Sequence, residues 1–460
     1  MLINGNVSFW YADIGGLPPP RAPLSGNCTA DVCIIGAGFT GLWAAYYLKR
    51  ADPGLNIVIV EKEFAGFGAS GRNGGWLSGG FGWNRETYLK QAPKAALGDF
   101  ERALNTTVNE VISVAEAEGI DADIRRCDLL NVACSSAQMD RVIAEHAADR
   151  AFGMAPTAGR IIDAKTTGAR IDIAGAKGAY LSHHVARIQP AKLVQGLARV
   201  VERMGVKIVE ATTVQGFSKG QVTTDKGHVS APVILRATEG FTANLKGQRR
   251  EVLPLNSAII VTEPLDRATW DAIGWQEHEL LSDASHGYCY AQRTREGRIA
   301  MGGRGVPYRY GSKTDLRGET QGETIRQLRE ILTRLLPQTA QAKIDHAWCG
   351  VLGVPRDWCA SVGFDPETGL GWAGGYVGLG VGTSNLAGRT LADLALGAGS
   401  DLTKLAWVNH KVRKWEPEPL RWLAVQGMYR LYHMADRRER AGRGVKTSRL
   451  AKLADRITGH

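Results

Sequence analysis

From Asp31 the chain reads DVCIIGAGFTGLWAAYYLKRADPGLNIVIVEKE: an apolar run, a glycine turn, a stretch with apolar residues at helical spacing, and a second apolar run that stops at Glu61. Short runs that are apolar throughout suit strands covered on both faces, so this segment predicts a strand–helix–strand unit with parallel strands and a right-handed crossover. A second alternation opens at Pro190. There AKLVQGLARVVERMGVKIVEATTV predicts a helix stopped by Gly205 and then a strand, and GQVTTDKGHVSAPVILRAT adds short strands between turn glycines. Between the two blocks, from about Trp83 to Tyr180, LNTTVNEVISVAEAEGI and SAQMDRVIAEHAADRAF make the chain mainly helical. Residues 250–345 alternate again, with SAIIVTEPL and GRIAMGGRG as strands and ETIRQLREILTRLL as a helix. GLGWAGGYVGLGVGTSNLAGRTLADLALG then returns to strand, turn and helix, and a helical extension follows from Trp407.

This order predicts an α/β protein in which a discontinuous Rossmann-type dinucleotide domain is interleaved with a substrate domain. Residues 1–90, 181–247 and 345–410 are assigned to the first and 91–180 with 248–344 to the second, an α+β unit; 411–460 form a C-terminal helical extension. At 460 residues, 44% hydrophobic and 22% charged, the chain can bury a large core. The start, MLINGNVSFWYADIGG, lacks the basic and apolar regions of a signal peptide, and no run of about 18 apolar residues occurs, so no membrane span is expected. Seven cysteines without CxxC spacing argue against a disulfide framework or a zinc site and for a reducing, cytoplasmic setting. The net charge of +10 is concentrated partly in ADRRERAGRGVKTSRLAKLADR, read as a solvated helical tail rather than a nucleic-acid stripe.

Gly36, Gly38 and Gly41 form GxGxxG between the first strand and the helix. The first glycine permits the tight turn, the second lets backbone approach a pyrophosphate, and the third lets helix pack on strand. The flanking Phe39 and Thr40 open the helix, whose free N–H groups and positive dipole end attract phosphate. Glu61, twenty residues beyond Gly41 and followed by Lys62, can accept hydrogen bonds from a ribose and repels a 2′-phosphate. Two further glycine loops, GFGASGRNGG (Gly66 to Gly75) and GGYVGLGVGTSNLAGR (Gly374 to Arg389), point to FAD, whose ring must be met far from the first turn. The second loop opens a helix, so its N–H groups can face the flavin edge where negative charge develops on reduction.

This set of motifs, with LRATEG and the Pro190 helix between them, resembles the D-amino-acid-oxidase family of flavoproteins from about residue 10 to 400. Within it, GFGASGRNGG and GVPRDW resemble the branch that includes gamma-glutamylputrescine oxidase. The resemblance implies a substrate domain whose antiparallel sheet lies over the flavin, and oxidation of a C–N bond in a small amine or amino acid. It also implies Ser70, Arg72, Asn73 and Gly74 along the pyrophosphate and flavin, Val214 at the adenine, Ala237 and Thr238 at the middle of the cofactor, and Gly378, Gly380, Val381 and Gly382 at the ring. Oxygen, a quinone or an electron carrier is the implied acceptor. Some relatives carry a lysine for the oxygen reaction where this chain has Ala300. Others attach FAD through a cysteine near the position of Cys349, which otherwise reads as a buried structural thiol.

Hydride transfer to FAD requires no triad or metal, because the cofactor carries the hard step. Tyr288 and Tyr290, alternating in HGYCYAQR, are candidates for the substrate wall or for plain core. Arg72 is a candidate for the flavin's polar edge or for a structural contact. His183 and His184 must point to opposite faces of a strand, bordering the cavity or serving structure. Arg304 and Arg309 either grip a substrate carboxylate or are surface charges. Two other functions stay open: oxidation of a 2-hydroxy acid, which needs a base for the hydroxyl proton, and a non-catalytic flavin or nucleic-acid-associated role using the basic tail.

Overall fold

The structure, a computed structural model, describes residues 2–303, 308–315 and 317–441. At its centre Val32–Ile35 pairs in parallel with Ile57–Val60 and Val233–Arg236. Lys207–Val209 extends this sheet at one side; Leu370–Gly374 and the antiparallel edge strand Ser361–Asp365 extend it at the other. Alternate residues explain why the strands are apolar throughout. Ile34, Ile59 and Leu235 face the helices Phe39–Ala51, Pro190–Arg203 and Gly380–Leu396, while Cys33, Ile35, Val58 and Val60 face Val222 and Val229 of a small four-stranded sheet. A Cβ on Gly388 would lie 2.5 Å from Trp43 Cβ and 2.7 Å from the Ala44 nitrogen, so this glycine sets how closely two of the helices cross.

The second layer is a ten-stranded, largely antiparallel sheet. Two long paired strands near one edge of it, Leu253–Thr262 and Ile344–Val354, divide their side chains between two cores. Ala258, Ile260, Ala347 and Cys349 face the helix Gly322–Leu335, whereas Ile259, Val261 and Trp348 face the first layer. The short helix Phe9–Asp13 is wedged there, burying Phe9, Trp10 and Tyr11.

Two expectations change. The segment 83–180 does carry the helices Lys94–Ala117 and Ser136–Ala151, but it also supplies the strands Arg125–Ala133 and Gly159–Asp163 and the start of Gly178–Arg187. In RRCDLLNVA most positions are partly exposed, so the apolar alternation that marks a strand is diluted. The boundaries expected at 181 and 345 consequently fall inside strands of the large sheet. The tail also differs from a solvated helix. Leu420–Arg440 packs back on the body, burying Arg421, Val425, Tyr432, Asp436 and Glu439, and much of that contact is polar, which hydrophobic patterning cannot reveal. Residues 442–460 of the basic run lie outside the described residues.

Gly388→Val is expected to lower stability by at least about 1–3 kcal/mol through overpacking at the helix crossing. Thermal unfolding of the variant checks this.

Candidate functional site

The glycine turn has a steric cause at each position. Gly36 has φ +104°, and a Cβ there would lie 2.7 Å from the Ala237 carbonyl oxygen. A Cβ on Gly41 would lie 2.1 Å from the Gly36 oxygen, so Gly41 seals helix against turn and does not itself line the cavity that begins here. Gly38 is the N-cap of the helix Phe39–Ala51 and brings no capping side chain of its own. The Phe39 N–H donates to Ser70 Oγ at 2.8 Å, tying the helix to the second glycine loop. Glu61 accepts from the Ala37 N–H at 2.9 Å and the Glu63 N–H at 3.0 Å. Desolvation raises its pKa, and these two donors oppose the rise.

A cavity of about 760 Å³ runs between the two layers. Gly36, Gly38, Phe39, Thr40, Glu61, Lys62, Val214, Ala237 and Thr238 all line it. So do Ser70, Arg72, Asn73 and Gly74 of the second loop. That loop is clamped by the N-terminal segment. Ser8 Oγ donates to the Gly71 oxygen (2.7 Å), Trp10 Nε1 to the Asn73 oxygen (2.7 Å) and Tyr11 OH to the Gly66 oxygen (3.0 Å). Nothing in FWYAD signalled this; the segment reads only as irregular chain before the first strand. Arg72 is fully buried, with Nε donating to the Phe67 oxygen at 2.7 Å and Nη1 to the Asp315 oxygen at 3.1 Å. Its guanidinium lies 4.3 Å from the Phe67 ring centre, and burial brings its pKa down to about 10. A further bond from Nη1 to the Cys349 oxygen at 3.4 Å ties the loop to the large sheet, while Arg72 also lines the cavity.

Tyr288 and Tyr290 both line the cavity, as their alternation predicts. The Tyr290 ring is caught between two glycines: a Cβ on Gly74 would come within 2.6 Å of it and one on Gly302 within 2.3 Å. Its hydroxyl is 3.2 Å from Ser257 Oγ, and Trp76 packs edge-on at 5.9 Å. Below this aromatic group, Gly378, at φ +102°, leads into the helix Gly380–Leu396, whose N-terminus also has no side-chain cap. Gly378, Gly380 and Val381 line the cavity. Gly382 does not; its Cβ would sit 2.5 Å from the Ser78 oxygen, so it serves packing.

Among the lining residues that the sequence reading did not single out are Glu239, Tyr429 and Tyr432. Glu239, in LRATEG, accepts from the N–H groups of Gly353, Gly375 (3.1 Å) and Tyr376 (3.2 Å), joining both layers around the cavity, and burial raises its pKa to about 7. Tyr429 and Tyr432 reach the cavity from the C-terminal helix. That helix is pinned by Arg141, which donates to Glu439 at 2.8 and 2.9 Å, and by the N–H groups of His286 and Gly287, which donate to Asp436 at 2.9 Å.

Other candidates lie elsewhere. His183 bonds Asp128 at 2.7 Å, and neither it nor His184 lines the cavity. Cys349 points to the opposite face of its strand, its Sγ 3.5 Å from Asp315 Oδ2, with its pKa raised to about 12 by burial. Ala300 packs with Ile259 and Trp348. Arg309 pairs with Asp315 at 2.6 Å, and Arg304 lies outside the described residues.

The profile of the DAO family, described as FAD dependent oxidoreductase, matches residues 31–394. The chain belongs to this family. A probable oxidoreductase OrdL from Rhizobium meliloti is 30% identical over 405 residues, covering 86% of this chain and 90% of its own. The gamma-glutamylputrescine oxidoreductase of Escherichia coli is 26% identical over 417 residues, covering 88% and 92%. The L-proline dehydrogenase structure from P. horikoshii superposes with TM-score 0.68 at 19% identity, covering 84% and 96%. This FAD-dependent oxidoreductase has residues that fit its cofactor. Two helix N-termini whose N-cap residues bring no capping side chain face the cavity with donors for anionic groups, and Gly36, Gly38, Gly74, Gly378 and Gly380 present bare backbone to it. Among the described residues no helix is long and apolar enough to cross a membrane.

Glu61→Ala is expected to weaken FAD retention by about 1.5–3 kcal/mol, the scale of a hydrogen bond to a charged group, read by FAD titration of the apoprotein. Because no cysteine lines the cavity, acid precipitation is expected to leave the flavin in the supernatant; a yellow pellet would contradict that.

Proposed function

We propose that this FAD-dependent oxidoreductase oxidises a C–N bond of a small primary or secondary amine or amino acid. The six-stranded layer is the proposed FAD domain, with Glu61 and Val214 at the adenosine, Gly36 to Thr40 and Ser70 at the pyrophosphate, and Gly378 to Val381 at the ring. FAD, when bound, supplies a hydride acceptor at N5, leaving an imine that water hydrolyses to a carbonyl compound and ammonia or an amine.

The observation that carries this reading is the aromatic chamber beside the Gly378 turn. Tyr288, Tyr290, Trp358, Tyr429 and Tyr432 line it together with Leu255 and Leu352. Such walls favour the uncharged amine, orient its C–H and keep water from the reacting carbon. Desolvation raises the pKa of Tyr290, so its phenol stays protonated and acts as wall and donor, not as a base. The names of the relatives support the same class: gamma-glutamylputrescine oxidoreductase and sarcosine oxidase subunit beta. Ala300, where some relatives use lysine, supports an acceptor other than oxygen, a quinone or electron carrier.

Anaerobic mixing with a panel of small amines is expected to bleach the flavin absorbance, and hydroxy acids are expected to leave it. Bleaching by hydroxy acids alone would overturn the proposal. Slow return of colour on admission of air, with fast return on adding a quinone, is the outcome expected for the acceptor.

A further inference from the structure

Beyond the aromatic chamber the cavity continues to a polar end, formed by Asn131, Ser282, His286, Arg141 and Glu145. The last two are one helical turn apart on Ser136–Ala151, a helix capped by Ser135, and so share its cavity face. Their charges are not equivalent. Arg141 is committed to both oxygens of Glu439 and to the Ala284 oxygen at 2.7 Å. Glu145 accepts one hydrogen bond, from the neutral amide of Asn131 at 2.9 Å, and among the described residues no cation pairs with it. Arg85, whose charge acts on it, already bridges Glu101 at 2.8 Å and Asp149 at 2.6 Å. Glu145 is exposed and its side chain lines the cavity; the protein surrounding it, with the charge of Asp149, raises its pKa to about 7. A bound cation would relieve both effects.

We propose that Glu145 receives a second, cationic group of the substrate, so that the preferred substrates are diamines or longer polyamines whose reacting amine lies at the flavin end. The alkyl chain between the two nitrogens would cross the tyrosine walls, and Tyr429 and Tyr432 would lie along it. These tyrosines belong to a helix beyond residues 31–394, the part matched by the family profile, so the wall they add lies outside that match. An anionic substrate end is disfavoured, because Arg141, the arginine at this end among the described residues, is paired with Glu439.

The inference rests on amine oxidation and is tested on the holoenzyme with linear 1,3-, 1,4- and 1,5-diaminoalkanes and with monoamines of equal chain length. In anaerobic flavin reduction the best diamine is expected to half-saturate at a concentration at least about tenfold below its monoamine, the effect of a charge-assisted hydrogen bond. Glu145→Gln is expected to abolish that preference, and Glu145→Asp to restore part of it. Equal half-saturation by diamine and monoamine in the parent enzyme, or an undiminished preference in Glu145→Gln, would overturn the assignment while leaving amine oxidation standing. If no amine of any kind reduces the flavin, amine oxidation itself falls and this inference with it.

Discussion

The whole site depends on bare backbone where the Val32–Ile35 strand turns into its helix. Gly36 lies against the Ala237 carbonyl, Gly41 against Gly36, and Gly38 brings no capping side chain to the helix that follows. A side chain at either glycine would push the packed segments apart, and a capping side chain at Gly38 would compete with phosphate for the donors that Ser70 Oγ, which holds the Phe39 N–H, does not take. Glu61 completes the turn from the next strand by holding the Ala37 N–H, so the acid expected at a ribose also props the glycine turn.

The same economy recurs at the other glycine segments. Gly74 and Gly302 make room for the Tyr290 ring, and Gly378 leads into a second uncapped helix. Rigidity comes from side chains remote in sequence. Ser8, Trp10 and Tyr11 hold carbonyls of the Gly66–Gly75 loop, Arg72 ties that loop to the large sheet, and Glu239 joins the turn at Gly375 to the strand Ile344–Val354. Buried charges gripping backbone groups are costly unless fully bonded, which is why Arg72 and Glu239 each collect several partners.

What was legible in the chain was the part with a local signature. GxGxxG, the two apolar strands and the acid at their end speak through spacing, and the alternation of Tyr288 and Tyr290 survives unchanged in the fold. Contacts made by distant polar residues were not legible. Phe9–Asp13 has no pattern of its own, the strand Arg125–Ala133 is half exposed, and the C-terminal helix is held by Glu439, Asp436 and Arg421 rather than by an apolar stripe. Glycines that serve packing look identical in sequence to glycines that line a cavity, and only the neighbours of Gly41 and Gly382 tell them apart.

The most direct test of this account is a crystal structure of the purified protein with its flavin. Electron density for the pyrophosphate at the N–H groups of Gly38 to Thr40, with the isoalloxazine between Tyr290 and the Gly378–Val381 turn, is the predicted result. A flavin seated elsewhere, or a ring turned away from the tyrosine chamber, would contradict it.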